Sequence, residues 1–234
     1  MASPDAKIIL YTNHRCPWAH RVHIALEELK IPFEEVIIDL DTPRTPEYLK
    51  INPRGLVPAL SYNGEIIIES AIVSQFLADA YPSHLAPPSG TPSGALRRAR
   101  IALFADAFSK VQSAIFQFNR ARTDEEIASV EEALVTSAAK EVEPLLSDAK
   151  PFFGGSDKLT LAEVLTGSFV IRLLSLSRAG VLPSGLLLSL AEKAPSFSKW
   201  AQTVAVHPSV TSIYDEDKII QATKARIAKL RAAA

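Results

Sequence analysis

Residues 11–22 read YTNHRCPWAHRV and contain the chain's only cysteine, Cys16. Upstream, the apolar run KIILY at 7–11 breaks at Thr12 and Asn13, the pattern of a short strand. Downstream, Val22, Leu26 and Leu29 recur at helical spacing from Pro17 until Pro32 ends the run. The stretch therefore predicts strand, loop and helix, with Cys16 at the junction. Pro17 suits the first helical position because its missing N–H has no partner there, so the Cys16 sulfur is expected to face the open N–H groups of the helix.

An ordinary thiol with a pKa near 8.5 is only about 3% ionised at pH 7, and bringing it to about 6.5 takes roughly 2.7 kcal/mol. A helix N-terminus supplies about 0.3–1 kcal/mol, or about 2 when partly buried, so direct hydrogen bonds to sulfur must add the rest. A lone cysteine out of context reads as a small buried hydrophobe. Here the strand–helix junction favours a reactive monothiol. Ala19 occupies the second position of a Cys-x-x-Cys pair, so a mixed disulfide on Cys16 needs an external thiol to resolve it. His14, Cys16, His20 and His23 also suggest a zinc set, but Arg15 and Arg21 oppose a cation and the spacing fits no standard zinc pattern, so no metal is expected. The histidines are read as surface groups or supports behind the thiol.

Working outward, FEEVIIDL predicts a second strand and TPEYLKINP a short helix or irregular connector. GLVPAL leads to Asn63-Gly64, a two-residue hairpin signal, and then to the strand-like EIII. Ser70 is expected to cap the next helix, whose apolar face carries Ile72, Val73, Phe76, Leu77 and Ala80 before Pro82. The predicted order is β-α-β-α-β-β-α. Residues 83–94, SHLAPPSGTPSG, read as a linker. Beyond it Phe104, Phe108, Val111, Ile115 and Phe118 lie on one helical face, and Asp124 to Glu143 fits a solvated helix. Thr160 and Glu163 form a capping-box pattern before the apolar LAEVLTGSFVIRLLSL, expected to be a central buried helix. In the tail, Ile220, Ile227 and Leu230 are expected to dock on the parent domain.

The 234 residues are 47% hydrophobic, with 25 Lys and Arg against 26 Asp and Glu. That supports a sizeable core and gives no reason to expect nucleic acid or an acidic membrane surface as a partner. No apolar run approaches the ~20 residues of a membrane span, and the start lacks the pattern of a secretory signal. A soluble protein of a reducing cytoplasm is expected.

Two further motifs offer chemistry. Pro58, at a strand entry, marks an edge, a bulge or a cis bond; a cis Val57-Pro58 bond would turn the backbone groups of Val57 outward. Glu69 and Ser70, at a helix N-terminus, either cap it or hold a carboxylate.

In order, CPWAHRV, NPRGLVPAL and ESAIVSQFLADAYP, followed by a linker and a helical half, resemble the glutathione transferase family, in particular its cysteine-containing omega-like members. The resemblance implies an α/β thioredoxin-like N-terminal domain plus an all-α C-terminal domain, with bounds 1–82, 83–94 (linker) and 95–234. It implies that Cys16 faces the glutathione sulfur, that Val57 pairs its backbone with the cysteinyl part beside a cis Pro58, and that Glu69 and Ser70 hold the γ-glutamyl end. It also implies a basic side chain near the glycyl carboxylate, where Arg44 stands in for the lysine that relatives place before the PE of segments like RTPEYL. Trp18 replaces a Phe and either lines the cleft or packs under the helix. The acceptor pocket would lie between the domains, beside the helix carrying Phe104, Phe108 and Phe116, most of which are core.

The implied activity is glutathione-dependent thiol transfer through a Cys16 mixed disulfide, as in deglutathionylation or dehydroascorbate reduction, with glutathione as substrate. The alternatives are conjugation of glutathione to electrophiles and non-catalytic binding of hydrophobic ligands. Partners implied are glutathione, a small electrophilic or disulfide substrate and a second copy in a homodimer, with neither nucleic acid nor stable membrane association.

Overall fold

The structure is a computed structural model that describes residues 6–232; the outermost ends of the two expected domains lie outside the described residues. Strand β1 (Ile8–Thr12) lies at the centre of a four-stranded sheet ordered β2-β1-β3-β4. It pairs in parallel with β2 (Glu34–Ile37) and antiparallel with β3 (Ala59–Tyr62), which turns into β4 (Glu65–Ile68). Asn63 and Gly64 both take positive φ, 51° and 92°, as the tight hairpin requires.

Helix α1 (Pro17–Leu29) buries every residue from Ala19 to Leu26, including His20, Arg21 and His23. Polar side chains on all sides of a buried helix mean that it is covered by more than the sheet. α3 (Ser70–Ala80) and α6 (Leu161–Arg178) both pack against it. The short α2 (Pro46–Ile51) starts at Thr45, whose side chain accepts from the Tyr48 N–H.

Helix α4 runs from Pro92 to Phe118, so it begins inside the stretch read as a linker. Thr91 caps it, Pro92 takes the first turn, and Gly94 lets the chain fold against Pro88: a Cβ there would sit 1.9 Å from the Pro88 carbonyl oxygen. Phe104, Phe108, Val111, Ile115 and Phe118 are all buried, as their spacing predicts. α6 is buried from Leu161 to Ser177. α7 (Leu186–Lys193), α8 (Pro195–Ala205), the short α9 (Pro208–Thr211) and a terminal helix complete this half, and one continuous apolar core runs from Leu10 and Ile24 in the sheet half to Phe169 and Trp200. Among the described residues no helix is long and apolar enough to cross a membrane.

Three local expectations are corrected. The helix from Asp124 stops as α5 at Ser137 and passes through a π turn (Ala138–Val142) into a 3-10 turn (Glu143–Leu146). Pro144 has no N–H to continue an α-helical ladder. Ser70 is not the cap of α3: Glu69 holds that position with φ 70°, and Ser70 is the first helical residue. In the terminal helix α10 (Glu216–Ala232) the buried anchor is Ile219, Ile220 packs beside the core and Ile227 is half-buried, but Leu230 is exposed and the last turn is held by Arg231 donating to the Ala121 carbonyl, so the apolar docking is strongest at the start of the helix.

Candidate active site

Asn13 builds the loop that carries Cys16. Its carbonyl accepts from the Cys16 N–H at 2.9 Å, its Oδ1 accepts from the Arg15 N–H, and its Nδ2 donates to the Ile38 carbonyl beyond β2. Cys16 then takes the N-cap position of α1 in extended backbone, with Pro17 following. Its half-buried Sγ lies 3.7 Å from the Val57 carbonyl oxygen and faces the N–H groups of Ala19 and Trp18 without closing a cap hydrogen bond. Burial pushes the thiol above its ordinary value; those two N–H groups, then Arg172 and Arg226, pull the other way and do not overcome it. The helix end is thus in place, and desolvation of the free protein outweighs it.

The segment facing Cys16 is pinned from α2. Tyr48 Oη and Asn52 Nδ2 both donate to the Leu56 carbonyl, at 2.6 and 2.7 Å, and Val57 packs with Ala19 and Tyr48 in a small apolar cluster that Cys16 joins. The Val57-Pro58 bond is cis. Glu69, in a left-handed conformation that side chains rarely adopt, forms an ion pair with Arg54. Ser70 Oγ, buried, accepts from Arg21 Nη1 at 3.4 Å, a long contact.

Arg44 is placed differently from its expected role. Its Nε donates to the Gly55 carbonyl at 2.9 Å and its Nη1 to the carbonyls of Asp39 and Thr42, so most of its guanidinium is already committed to the loop. Trp18, 36% exposed, stacks on Phe116 at 14° between ring planes and meets Phe169 edge-on. It therefore lines the junction between the halves. Phe104 and Phe108 are core, which leaves Phe116 as the one of the three α4 aromatics beside Trp18.

The four residues weighed as a zinc set do not converge. His20 Nε2 donates to the Val210 carbonyl and its Nδ1 accepts from Arg172, whereas His14 and His23 turn to Glu35, at 2.7 and 3.3 Å. The ligand atoms of His14, His23 and Glu35 stand within 4.8 Å of one another as a hydrogen-bonded cluster that excludes Cys16. Thr12 Oγ1 is engaged by His23 and is no free hydroxyl beside the thiol.

Sequence reasoning missed the two arginines that flank this loop. Arg21 reaches Ser70 and, at 3.0 Å, Gln112 on α4, with its guanidinium 4.6 Å from the Trp18 ring centroid. Arg172 reaches the Cys16 loop from α6. The signal for Arg172 was present: within the apolar stretch 161–176 it and Glu163 are the only charges.

A thioredoxin-like sheet with a cysteine at its first helix, joined to a largely helical half, is the architecture of the glutathione transferases, and comparison with known proteins agrees. Residues 15–80 match the family model for the glutathione S-transferase N-terminal domain. Glutathione S-transferase omega-1 of Mus musculus is 31% identical over 172 residues, which span 73% of this chain and 68% of the mouse protein. The chain belongs to the glutathione transferase family. Within it the chain is omega-like: the omega-1 protein of Rattus norvegicus is 29% identical over 92% of this chain and 83% of its own length. Glutathione transferase Omega 1C of Trametes versicolor superposes with a TM-score of 0.79 at 26% identity, covering 96% of this chain and 98% of that one.

Proposed function

We propose that this transferase is a glutathione-dependent thiol transferase with Cys16 as nucleophile. The observation that carries the reading is the placement of the chain's single thiol at the start of α1, facing two backbone N–H groups and the Val57 carbonyl. The Cys16 thiolate attacks the glutathionyl sulfur of a mixed disulfide; the old S–S bond breaks, the substrate thiolate leaves, and Cys16 carries glutathione. A second glutathione thiolate attacks that sulfur, releasing oxidised glutathione and restoring Cys16. Val57 binds the cysteinyl backbone of glutathione and Glu69 and Ser70 its γ-glutamyl end, while Trp18 and Phe116 border the acceptor. Since burial holds the free thiol protonated, bound glutathione or the surrounding donors must supply the remaining stabilisation of the thiolate.

One observation favours conjugation as a second activity. A thiol held protonated can donate its hydrogen to a bound glutathione thiolate, activating glutathione without a covalent bond. A homodimer is part of the proposal; exposed Ile72 on α3 and Leu96 and Leu103 on α4, helices tied by the Arg98–Asp79 ion pair, support it. A cytoplasmic location fits a free catalytic thiol.

Intact mass spectrometry after oxidised glutathione tests the covalent step, and turnover of a glutathione mixed disulfide, dehydroascorbate and chlorodinitrobenzene separates the activities. Absence of both the adduct and disulfide turnover defeats the thiol-transfer reading.

A further inference from the structure

Arg172 stands in the middle of α6, 6% exposed. Every hydrogen-bond partner that it has is neutral. Nη1 donates to the Ser168 carbonyl at 2.8 Å and to His20 Nδ1 at 2.9 Å; Nη2 donates to the carbonyls of His14 at 3.3 Å and Arg15 at 3.5 Å. The guanidinium lies 5.2 Å from the Tyr214 ring centroid. Among the described residues no carboxylate is within ion-pair reach of it. A buried cation is expensive unless paired, so an arginine satisfied only by neutral acceptors leaves its charge free to act on whatever anion comes near.

His20 enforces this neutrality. Its Nε2 must carry hydrogen to donate to the Val210 carbonyl, at 2.9 Å, so Nδ1 is the lone pair that receives Arg172. A second proton on the ring would face the guanidinium directly. Burial and that neighbouring charge hold the imidazole well below its usual range, so it stays neutral at physiological pH.

We propose that Arg172 is a positioning residue for Cys16: from the helical half it holds the two carbonyls that precede Cys16 and directs an uncompensated positive charge at the site where the thiolate forms. The proposal deepens the thiol-transfer reading, but its test needs neither glutathione nor turnover. Contact with His14 and Arg15 fixes the loop, and the charge favours the anionic sulfur. The groups that face Cys16 are Arg172, Arg226 from α10 and Tyr48 from α2; those that face Arg172 are His20 from α1 and Tyr214 before α10. Burial raises both phenols, lowers the imidazole and brings the Arg172 guanidinium down to about 10, so the alkylation profile is read below that value, where Arg172 keeps its charge.

Because Cys16 is the only cysteine, its alkylation by iodoacetamide reads this thiol alone. The rate is measured against pH for the full chain and for Arg172→Gln, Arg172→Lys, His20→Gln and His20→Glu, with thermal melting as the control for folding. Arg172→Gln is expected to raise the midpoint and slow alkylation at neutral pH by about threefold to tenfold, up to one pKa unit. Arg172→Lys, which keeps the charge, should recover much of that rate. His20→Glu keeps Arg172 and gives it a counter-charge, so it should raise the midpoint as well, whereas the neutral His20→Gln should not. Should Arg172→Gln fail to fold, the His20 pair decides. Unchanged midpoints in folded Arg172→Gln, or in His20→Glu when that pair decides, would overturn the proposal. Normal alkylation profiles throughout would count against the arginine's role alone, since the role of Cys16 as nucleophile is tested separately by the glutathione adduct.

Discussion

The Sγ of Cys16 lies 3.7 Å from the carbonyl oxygen of Val57, within reach of a thiol hydrogen bond, and the two come from the first and fourth loops of the thioredoxin-like half. One loop presents a thiol and the other the backbone of Val57, so a cysteinyl peptide docking beside the pair meets both. Cys16→Ala is expected to abolish thiol transfer and the mass increase of one glutathionyl group, because no other cysteine can accept it. Cys16→Ser discriminates further: a hydroxyl forms no disulfide but can donate to the glutathione thiolate, so chlorodinitrobenzene conjugation should persist or rise. Undiminished thiol transfer in the alanine variant would remove Cys16 from the mechanism.

Ser70 accepts from Arg21, which leaves its own O–H directed elsewhere. With a glutathione carboxylate at the start of α3, that O–H is the donor, and Ser70→Ala should raise the KM for glutathione. Losing one hydrogen bond to a charged group corresponds to about 1.5–3 kcal/mol, or roughly ten- to a hundredfold. Steady-state kinetics at saturating acceptor, with an unchanged melting temperature, is the check; an unaltered KM counts against this placement.

His20 gives the fold a pH dependence of known sign. Its folded pKa is depressed well below the usual 6.5, so between the two values the unfolded chain binds the proton and the folded chain does not. Stability therefore rises with pH in that window and is lost as pH falls below about 6.5. The melting temperature is expected to drop between pH 7 and pH 5, and His20→Gln should flatten the profile in part, since buried His23, lowered to about 4, acts with the same sign. An equally steep decline in a folded His20→Gln variant would assign the acid sensitivity elsewhere.

Glu163 is fully buried and accepts four hydrogen bonds: from the Phe153 N–H and Trp200 Nε1–H at 2.8 Å each, and from the Thr160 N–H and hydroxyl at 2.9 and 2.6 Å. Glu163→Ala strands these buried donors and should destabilise the chain by more than about 3 kcal/mol. Glu163→Gln should also destabilise it, since its amide N–H₂ must face either Thr160 or Trp200, donor against donor. Denaturant unfolding measures both; a loss below about 1 kcal/mol would show that the network is dispensable.

Much of this molecule is local chemistry and so was legible in the sequence. Val22, Leu26 and Leu29 mark α1 by periodicity, Asn63-Gly64 marks the β3–β4 turn by its tolerance of positive φ, and Thr160 with Glu163 marks the start of α6 by reciprocal capping. Each depends on residues a few positions apart. Cys16 was found in the same way, from a proline that can only begin a helix. Arg44, by contrast, was placed by analogy with a lysine, and the fold engages it with the carbonyls of Asp39, Thr42 and Gly55. Ser70 and Glu69 exchanged roles at the cap because the turn out of β4 needs one residue of positive φ before the helix.

The surroundings of the thiol were decided only in three dimensions. Arg172 lies more than 150 positions from the loop it holds, and the contacts that join His20 to Val210 and Arg21 to Gln112 cross between halves that no short-range pattern connects. Sequence alone fixes which groups are available and which local conformations they favour. Whether a thiol is buried, which carbonyls an arginine meets and which nitrogen of a histidine carries the proton depend on desolvation and on partners that folding brings together, and those energies exist only once the two halves have packed.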